Sequence, residues 1–168
     1  MPYERRVALS LAGGDNLELS SIHTTVHLGA HTDAPSHYVP GPMIGARDPR
    51  IYVGPCEVMH VEVGRGERIP RLPRAPRHPR VLLRTGTYPD PNVFNEDFAA
   101  LSVALVEELA AAGVRLVGID TPSVDLCHDR ELEAHHAIAA HDLAILEGVV
   151  LDSVPEGEYT LLAQPLPL

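Results

Sequence analysis

The chain has 168 residues, a hydrophobic fraction of 45%, a charged fraction of 21% and a formal net charge of −10. These values describe one soluble globular domain with enough apolar material for a core, and the negative charge opposes a phosphate backbone, which argues against a nucleic-acid partner. No run of about 18 apolar residues offers a membrane span and the start Met1-Pro-Tyr-Glu-Arg-Arg6 has no signal-peptide pattern, so a cytoplasmic protein with no membrane partner is expected.

The first predicted elements are two β-prone runs, Val7 to Ala12 and Leu17 to Val26, flanking Gly13-Gly-Asp-Asn16. Such a pattern reads as a hairpin whose second strand delivers His27 to its end. His23 lies on that strand and reads as a plain strand residue. Next comes His27-Leu-Gly-Ala-His31-Thr-Asp33-Ala-Pro-Ser-His37, which packs three imidazoles and a carboxylate into eleven residues. Neutral imidazole and carboxylate are the usual ligands of zinc and similar divalent ions. A straight strand would hold His27 and Asp33 about 20 Å apart, while Gly29, Pro35 and the preceding threonines disfavour a helix. The segment is therefore expected to run as a strand from Thr24 to Leu28 and to fold back at Gly29. That fold brings His27, His31 and Asp33 around one point, with His37 as a fourth candidate, and predicts a metal site with a hydrolase built around it.

Tyr38 to Asp48 holds Pro40, Gly41, Pro42 and Gly45 and is predicted as loop. Ile51 to Val53 and Glu57 to Val63 read as short strands, with His60 an ordinary strand histidine. In residues 65–80 arginine and proline each recur with period three, the repeat of a polyproline II helix. A solvated crossover linker between strands is the preferred reading, and a docking strip for an acidic partner is the alternative. Val81 to Thr85 is a strand ending at Gly86. A helix capped by Asn95 follows, with Phe98, Leu101, Leu105 and Leu109 on one face and Gly113 closing it. Val114 to Ile119 completes a strand-helix-strand unit, and its carboxyl end opens into the polar turn Asp120-Thr-Pro-Ser123, a place where α/β folds commonly put active sites. The two cysteines, Cys56 and Cys127, form no C-x-x-C pair and read as reduced thiols.

The second cluster spans Glu133-Ala-His135-His136 through His141-Asp142 to Glu147-Gly148, with a helical Ala-rich middle. An unbroken helix would set His135 and Glu147 about 18 Å apart on different faces. For both to serve one site the helix must stop near Leu143 and the chain must return, with Val149 to Leu151 as the returning strand.

With both clusters in view the chain resembles the cyclase family of metal-dependent hydrolases, and within it the bacterial kynurenine formamidases. The resemblance rests on the 27–37 stretch, Pro79-Arg-Val-Leu-Leu-Arg-Thr85, Gly118-Ile-Asp-Thr-Pro-Ser-Val-Asp125, and Ala134-His-His through His141-Asp to Ile145-Leu-Glu-Gly148. It implies an α/β fold with a mixed, partly barrel-like central sheet flanked by helices. It implies that His27, His31 and Asp33 bind one metal and that Asp33, His135 and Glu147 bind a second, Asp33 and Glu147 touching both. His37 is implied as the proton-transferring residue, and the metal as zinc, two per chain, with manganese among relatives. The implied activity is hydrolysis of an aryl-formamide, N-formyl-L-kynurenine, to L-kynurenine and formate, by a homodimer. Opening of a cyclic amide such as isatin is the alternative, and a truncated metal-binding protein with weak catalysis a third. Ala30 replaces the family's usual threonine, relatives carry longer N- and C-terminal segments, and the chain lacks the tryptophan expected against the substrate ring. Tyr38, Tyr52, Tyr88 or a residue of a second subunit is expected to stand in for it.

Overall fold

The apolar run Val81-Leu-Leu83 is buried on both sides, as a strand covered on both faces must be. It lies in β5 (Arg80–Arg84), the middle strand of a five-stranded sheet in the computed structural model, which describes residues 3–167. Beside it run β3 (Val53–His60) and β7 (Leu116–Ile119), both parallel to it. The short β8 (Ala144–Leu146) extends the parallel set beyond β7, and β9 (Gly157–Leu162) closes the other edge antiparallel to β3. Alternation along each strand sends Leu83, Val117, Ile119 and Ile145 to one face, and Leu82, Leu116 and Leu146 to the other. Helices α1 (Val103–Ala111) and α2 (Glu133–Ala140) cover the first face with Leu105, Leu109 and Ile138, whereas Ile44, Ile51 and Tyr52 from short 3-10 turns cover the second. The sheet is thus mixed and flanked by few helices, as expected.

The hairpin forms from β1 (Glu4–Leu9) and β2 (Leu19–His23), antiparallel and separate from the main sheet. Its strand stops at His23, so the expected strand from Thr24 to Leu28 is irregular chain instead. The reason is the bridge that His31 makes farther on, which draws this segment across the sheet end rather than along β1. Residues 51 and 52 belong to the 3-10 turn Pro49–Tyr52, capped by the Asp48 side chain, rather than to a strand of their own.

The helix expected from Asn95 begins later. Ser102 is its N-cap, its hydroxyl accepting from the Leu105 N–H. Residues Ala100–Leu101 instead form β6, parallel to β4 (Arg68–Ile69), and Phe98 is buried against Tyr88 and Phe94. Sheet pairing and burial of Phe98 outweigh the helical periodicity there. The returning strand after α2 is likewise Ala144–Leu146, not 149–151. Asp142 adopts a left-handed φ of 53°, which ends the helix abruptly and drops Leu143 and its successors into the core.

Residues 65–80 do connect β3 to β5, but not as a solvated strip. Ile69 and Leu72 are buried. Glu57, wholly buried on β3, receives the Arg74 guanidinium and the N–H groups of Arg77 and His78, and the Arg80 guanidinium donates to the carbonyls of Arg50, Ile51 and Pro55. A buried carboxylate and a buried guanidinium need such partners, so the arginines point in different directions rather than along one side.

Candidate metal centre

The parallel strands β7 and β8 end at Ile119 and Leu146, and the chain that follows each carries polar groups. Across that end lies the 27–37 segment. His31 and Glu147 exchange backbone hydrogen bonds of 3.0 and 2.8 Å, and the Thr32 hydroxyl donates to the Ile145 carbonyl. The crossing is tight: a Cβ on Gly148, whose φ is 66°, would lie 2.6 Å from the Gly29 carbonyl oxygen. Only glycine accepts both that backbone shape and that approach.

This crossing stitches the two sequence clusters together. His27 Nδ1 lies 3.1 Å from Asp33 Oδ1, and His31 Nε2 lies 3.5 Å from Asp33 Oδ1 and 3.3 Å from Glu147 Oε2. His135, in the first turn of α2, points Nε2 to within 3.7 Å of both Asp33 Oδ2 and Glu147 Oε1. His37 Nε2 is 3.8 Å from Asp33 Oδ2, and its ring lies 4.4 Å from that of His27. All six residues named from the sequence therefore meet around Asp33. Asp33, His135 and Glu147 are buried, while the side chain of His37 stays 52% exposed at the mouth.

The donor atoms suit a divalent cation. His31 Nδ1 lies 2.8 Å from the Gly29 carbonyl, which turns Nε2 inward. His31 Nε2 and Asp33 Oδ1 are both buried without a hydrogen-bond partner among the described residues. Buried polar atoms are nearly always satisfied, and unpartnered imidazole nitrogen facing carboxylate oxygen is what a bound cation would satisfy. The Glu147 Oε1 atom is further fixed by the Val124 N–H at 2.7 Å.

The same crowding shifts the titrations. Burial opposes ionisation of Asp33, but the neighbouring His135 imidazole and the fields of His27, His31 and His37 hold its carboxyl below the ordinary range. Burial likewise opposes charge on His135, yet Asp125 and Asp33 push it up to about 9. Burial lowers His27. Burial and the charge of Asp33 push the Tyr38 hydroxyl up to about 12, and the Tyr38 ring packs 4.9 Å from that of His135.

Two clefts open on either side of the His27–His31 wall. One, of about 720 Å³, is lined by apolar groups including Leu28, Ile44, Val149 and Leu161. The other, of about 450 Å³, carries Tyr88, Phe94 and Asp120. Both volumes fall in the range of small-molecule sites. Of the tyrosines expected to face a substrate ring, Tyr52 is fully buried in the core and is excluded. Asp120 accepts from the N–H groups of Thr85 and Gly86 and from the Thr85 hydroxyl, so it shapes the turn after β5. Asp125 escaped the sequence reading as a site residue: its Oδ2 lies 2.8 Å from His135 Nδ1. Its only sequence signal is its place at the end of the Gly118–Asp125 block.

Residues 2–126 match the model of the Cyclase family, described as "Putative cyclase". The chain is 40% identical over 171 residues to the kynurenine formamidase of Bordetella petrii, covering 99% of this chain and 82% of that protein. Among solved structures, a potential metal-dependent hydrolase with cyclase activity superposes with a TM-score of 0.78 at 26% identity, over 98% of this chain and 80% of the other. Isatin hydrolase A from Labrenzia aggregata, bound to benzyl benzoate, shares the fold with a TM-score of 0.77 at 21% identity, over 99% and 77% of the two chains. With most of its length matched by the family model and two fifths of its residues shared with a kynurenine formamidase, the chain belongs to the cyclase family.

Proposed function

We propose that this chain is a metal-dependent amide hydrolase that cleaves the formyl C–N bond of N-formyl-L-kynurenine, giving L-kynurenine and formate. The observation that carries the reading is the buried, unpartnered pair His31 Nε2 and Asp33 Oδ1 inside the donor cluster, in a chain 40% identical to a kynurenine formamidase. Zinc suits a mixed imidazole and carboxylate set, with manganese as the alternative. His27, His31 and Asp33 would hold one ion, and Asp33, His135 and Glu147 a second, Asp33 and Glu147 touching both. When bound, such cations supply Lewis acidity and a nucleophile at neutral pH.

The remaining work falls to the chain's own residues. Hydrolysis joins a water oxygen to the formyl carbon, breaks the C–N bond with its electron pair going to nitrogen, and delivers a proton to that nitrogen. His37 lines the larger cleft near Asp33, its side chain half exposed. It takes the proton from the water and returns it to the leaving arylamine. The aryl ring would lie in the larger cleft, which His37 and Asp33 line together with Leu28, Ile44, Val149 and Leu161, and covering it with those apolar groups is favourable.

We also infer a homodimer, because the β1–β2 hairpin leaves Val7 and Ile22 exposed on one face and exposed apolar groups side by side mark an interaction surface. The test of function is formate release from N-formyl-L-kynurenine by zinc-loaded protein, with isatin as the counter-substrate. Turnover of isatin alone moves the substrate to a cyclic amide, and turnover of neither despite bound metal leaves a metal-binding protein without this activity.

A further inference from the structure

The reaction gives no task to the arginine-rich segment 65–80, yet one of its members reaches toward the centre. Arg68, on β4, donates from Nη1 to the Leu101 carbonyl at 2.7 Å and to Asp125 Oδ1 at 2.9 Å, and pairs through Nη2 with Asp129. Asp125 is 1% exposed. Its Oδ1 also accepts from the Ala134 N–H, and its Oδ2 from the His135 N–H, each at 3.0 Å. The same Oδ2 lies 2.8 Å from His135 Nδ1. One carboxylate therefore serves as the cap of α2, whose own N-cap residue Leu132 provides no side-chain bond, and as the partner of the ring.

The chemistry of that arrangement is directional. A buried carboxylate is stable only with a countercharge, and Arg68 provides one held at three points. An imidazole whose Nδ1–H donates to a carboxylate keeps its Nε2 lone pair free and aimed away. For His135 that direction is toward Asp33 and Glu147. His31 has a different anchor, the Gly29 carbonyl, so the two halves of the cluster are oriented independently.

We propose that Arg68 and Asp125 are a positioning pair that fixes the tautomer and orientation of His135, and so sets the affinity of the metal position that His135 shares with Asp33 and Glu147. The position built on His27 and His31, tied to it only through the shared Asp33 and Glu147, is affected less. The inference rests on the reading of His135 as a ligand. Its test uses the full chain stripped by chelator and titrated with zinc against a chromophoric competitor, in wild type, Asp125→Asn, Arg68→Met and Arg68→Lys. In wild type two binding events are expected. In Asp125→Asn one of them weakens about 10–100-fold, the usual effect of losing such a partner, while the other falls clearly less. Arg68→Met weakens the same event, and Arg68→Lys restores part of the loss by keeping a cation beside Asp125. Nitrogen NMR of labelled histidine supplies a readout independent of metal: the His135 Nδ1–H resonance seen in wild type shifts or is lost in Asp125→Asn. Unchanged affinities in Asp125→Asn and Arg68→Met, or an equal fall in both binding events, overturn the inference. Fewer than two binding events in wild type overturns the two-ion centre itself, a failure visible before any variant is made. Should Asp125→Asn not fold, the two Arg68 variants decide the matter alone.

Discussion

At the scale of single residues, the proposed centre divides into groups that would hold metal and one, His37, that would move a proton. His37 is half exposed and 3.8 Å from Asp33, while Asp33 sits where every other donor converges. His37→Ala is expected to keep its metal and lose about 10²–10⁴-fold in kcat, the usual contribution of a general acid and base. Asp33→Ala is expected to lose metal as well as turnover, and metal content unchanged in that variant would remove Asp33 from the ligand set. Away from the centre, Glu57 carries a pH-dependent share of stability. Burial opposes its charge, but Arg74 and the N–H groups of Arg77 and His78 hold its carboxyl below the ordinary range. A carboxyl with a lowered folded pKa stabilises fully above its unfolded value of about 4.3, and that contribution is lost as pH falls through the folded value. Glu57→Gln should cost about 1–3 kcal/mol at pH 7, and urea midpoints of the two proteins should converge on acidification below about pH 4.

At the scale of elements, the site depends on one crossing. The 27–37 segment reaches the sheet end only because Gly29 and Gly148 pass closely and His31 pairs with Glu147. Gly148→Ala places a Cβ 2.6 Å from the Gly29 carbonyl oxygen at a φ of 66°. Strain of that kind costs about 1–3 kcal/mol, and the segment is expected to relieve it by withdrawing. Thermal denaturation should report the loss of stability, and weaker zinc uptake should accompany it. A variant with wild-type uptake would show that the crossing does not control the centre. The late start of α1 has the same character: Leu101 fits the helical periodicity, but its backbone pairs with Ile69 in β4, which helix formation would break.

At the scale of the whole molecule, the hairpin is the least integrated part. Both its strands are exposed, and Val7 and Ile22, 55% and 65% accessible, share one face. A second copy covering this surface is the expected state, and light scattering at micromolar concentration should give twice the chain mass of 18.2 kDa. Ile22→Asp should shift that mass toward one chain. A wild-type mass of one chain rules the dimer out. Among the described residues no helix is long and apolar enough to cross a membrane.

The amino-acid sequence by itself determined the chemistry available and the local order of much of the chain. The His27–Asp33 run, the hairpin turn at Gly13 to Asn16, the buried strand at Val81 and the α2 helix are all readable because their signals are short-range. The union of His135 and Glu147 with the first cluster was legible through family resemblance, not through spacing, and the contact of Asp125 with His135 was not legible. Tertiary structure decided those contacts because their partners are distant in the chain: the Thr32 hydroxyl meets the Ile145 carbonyl 113 positions away. It also decided where α1 begins and which arginines of 65–80 are buried, since sheet pairing and burial of Glu57 and Asp125 outweigh local periodicity. A pattern of period three records what the segment could do in isolation, and the buried carboxylates that select individual arginines exist only once the sheet has formed.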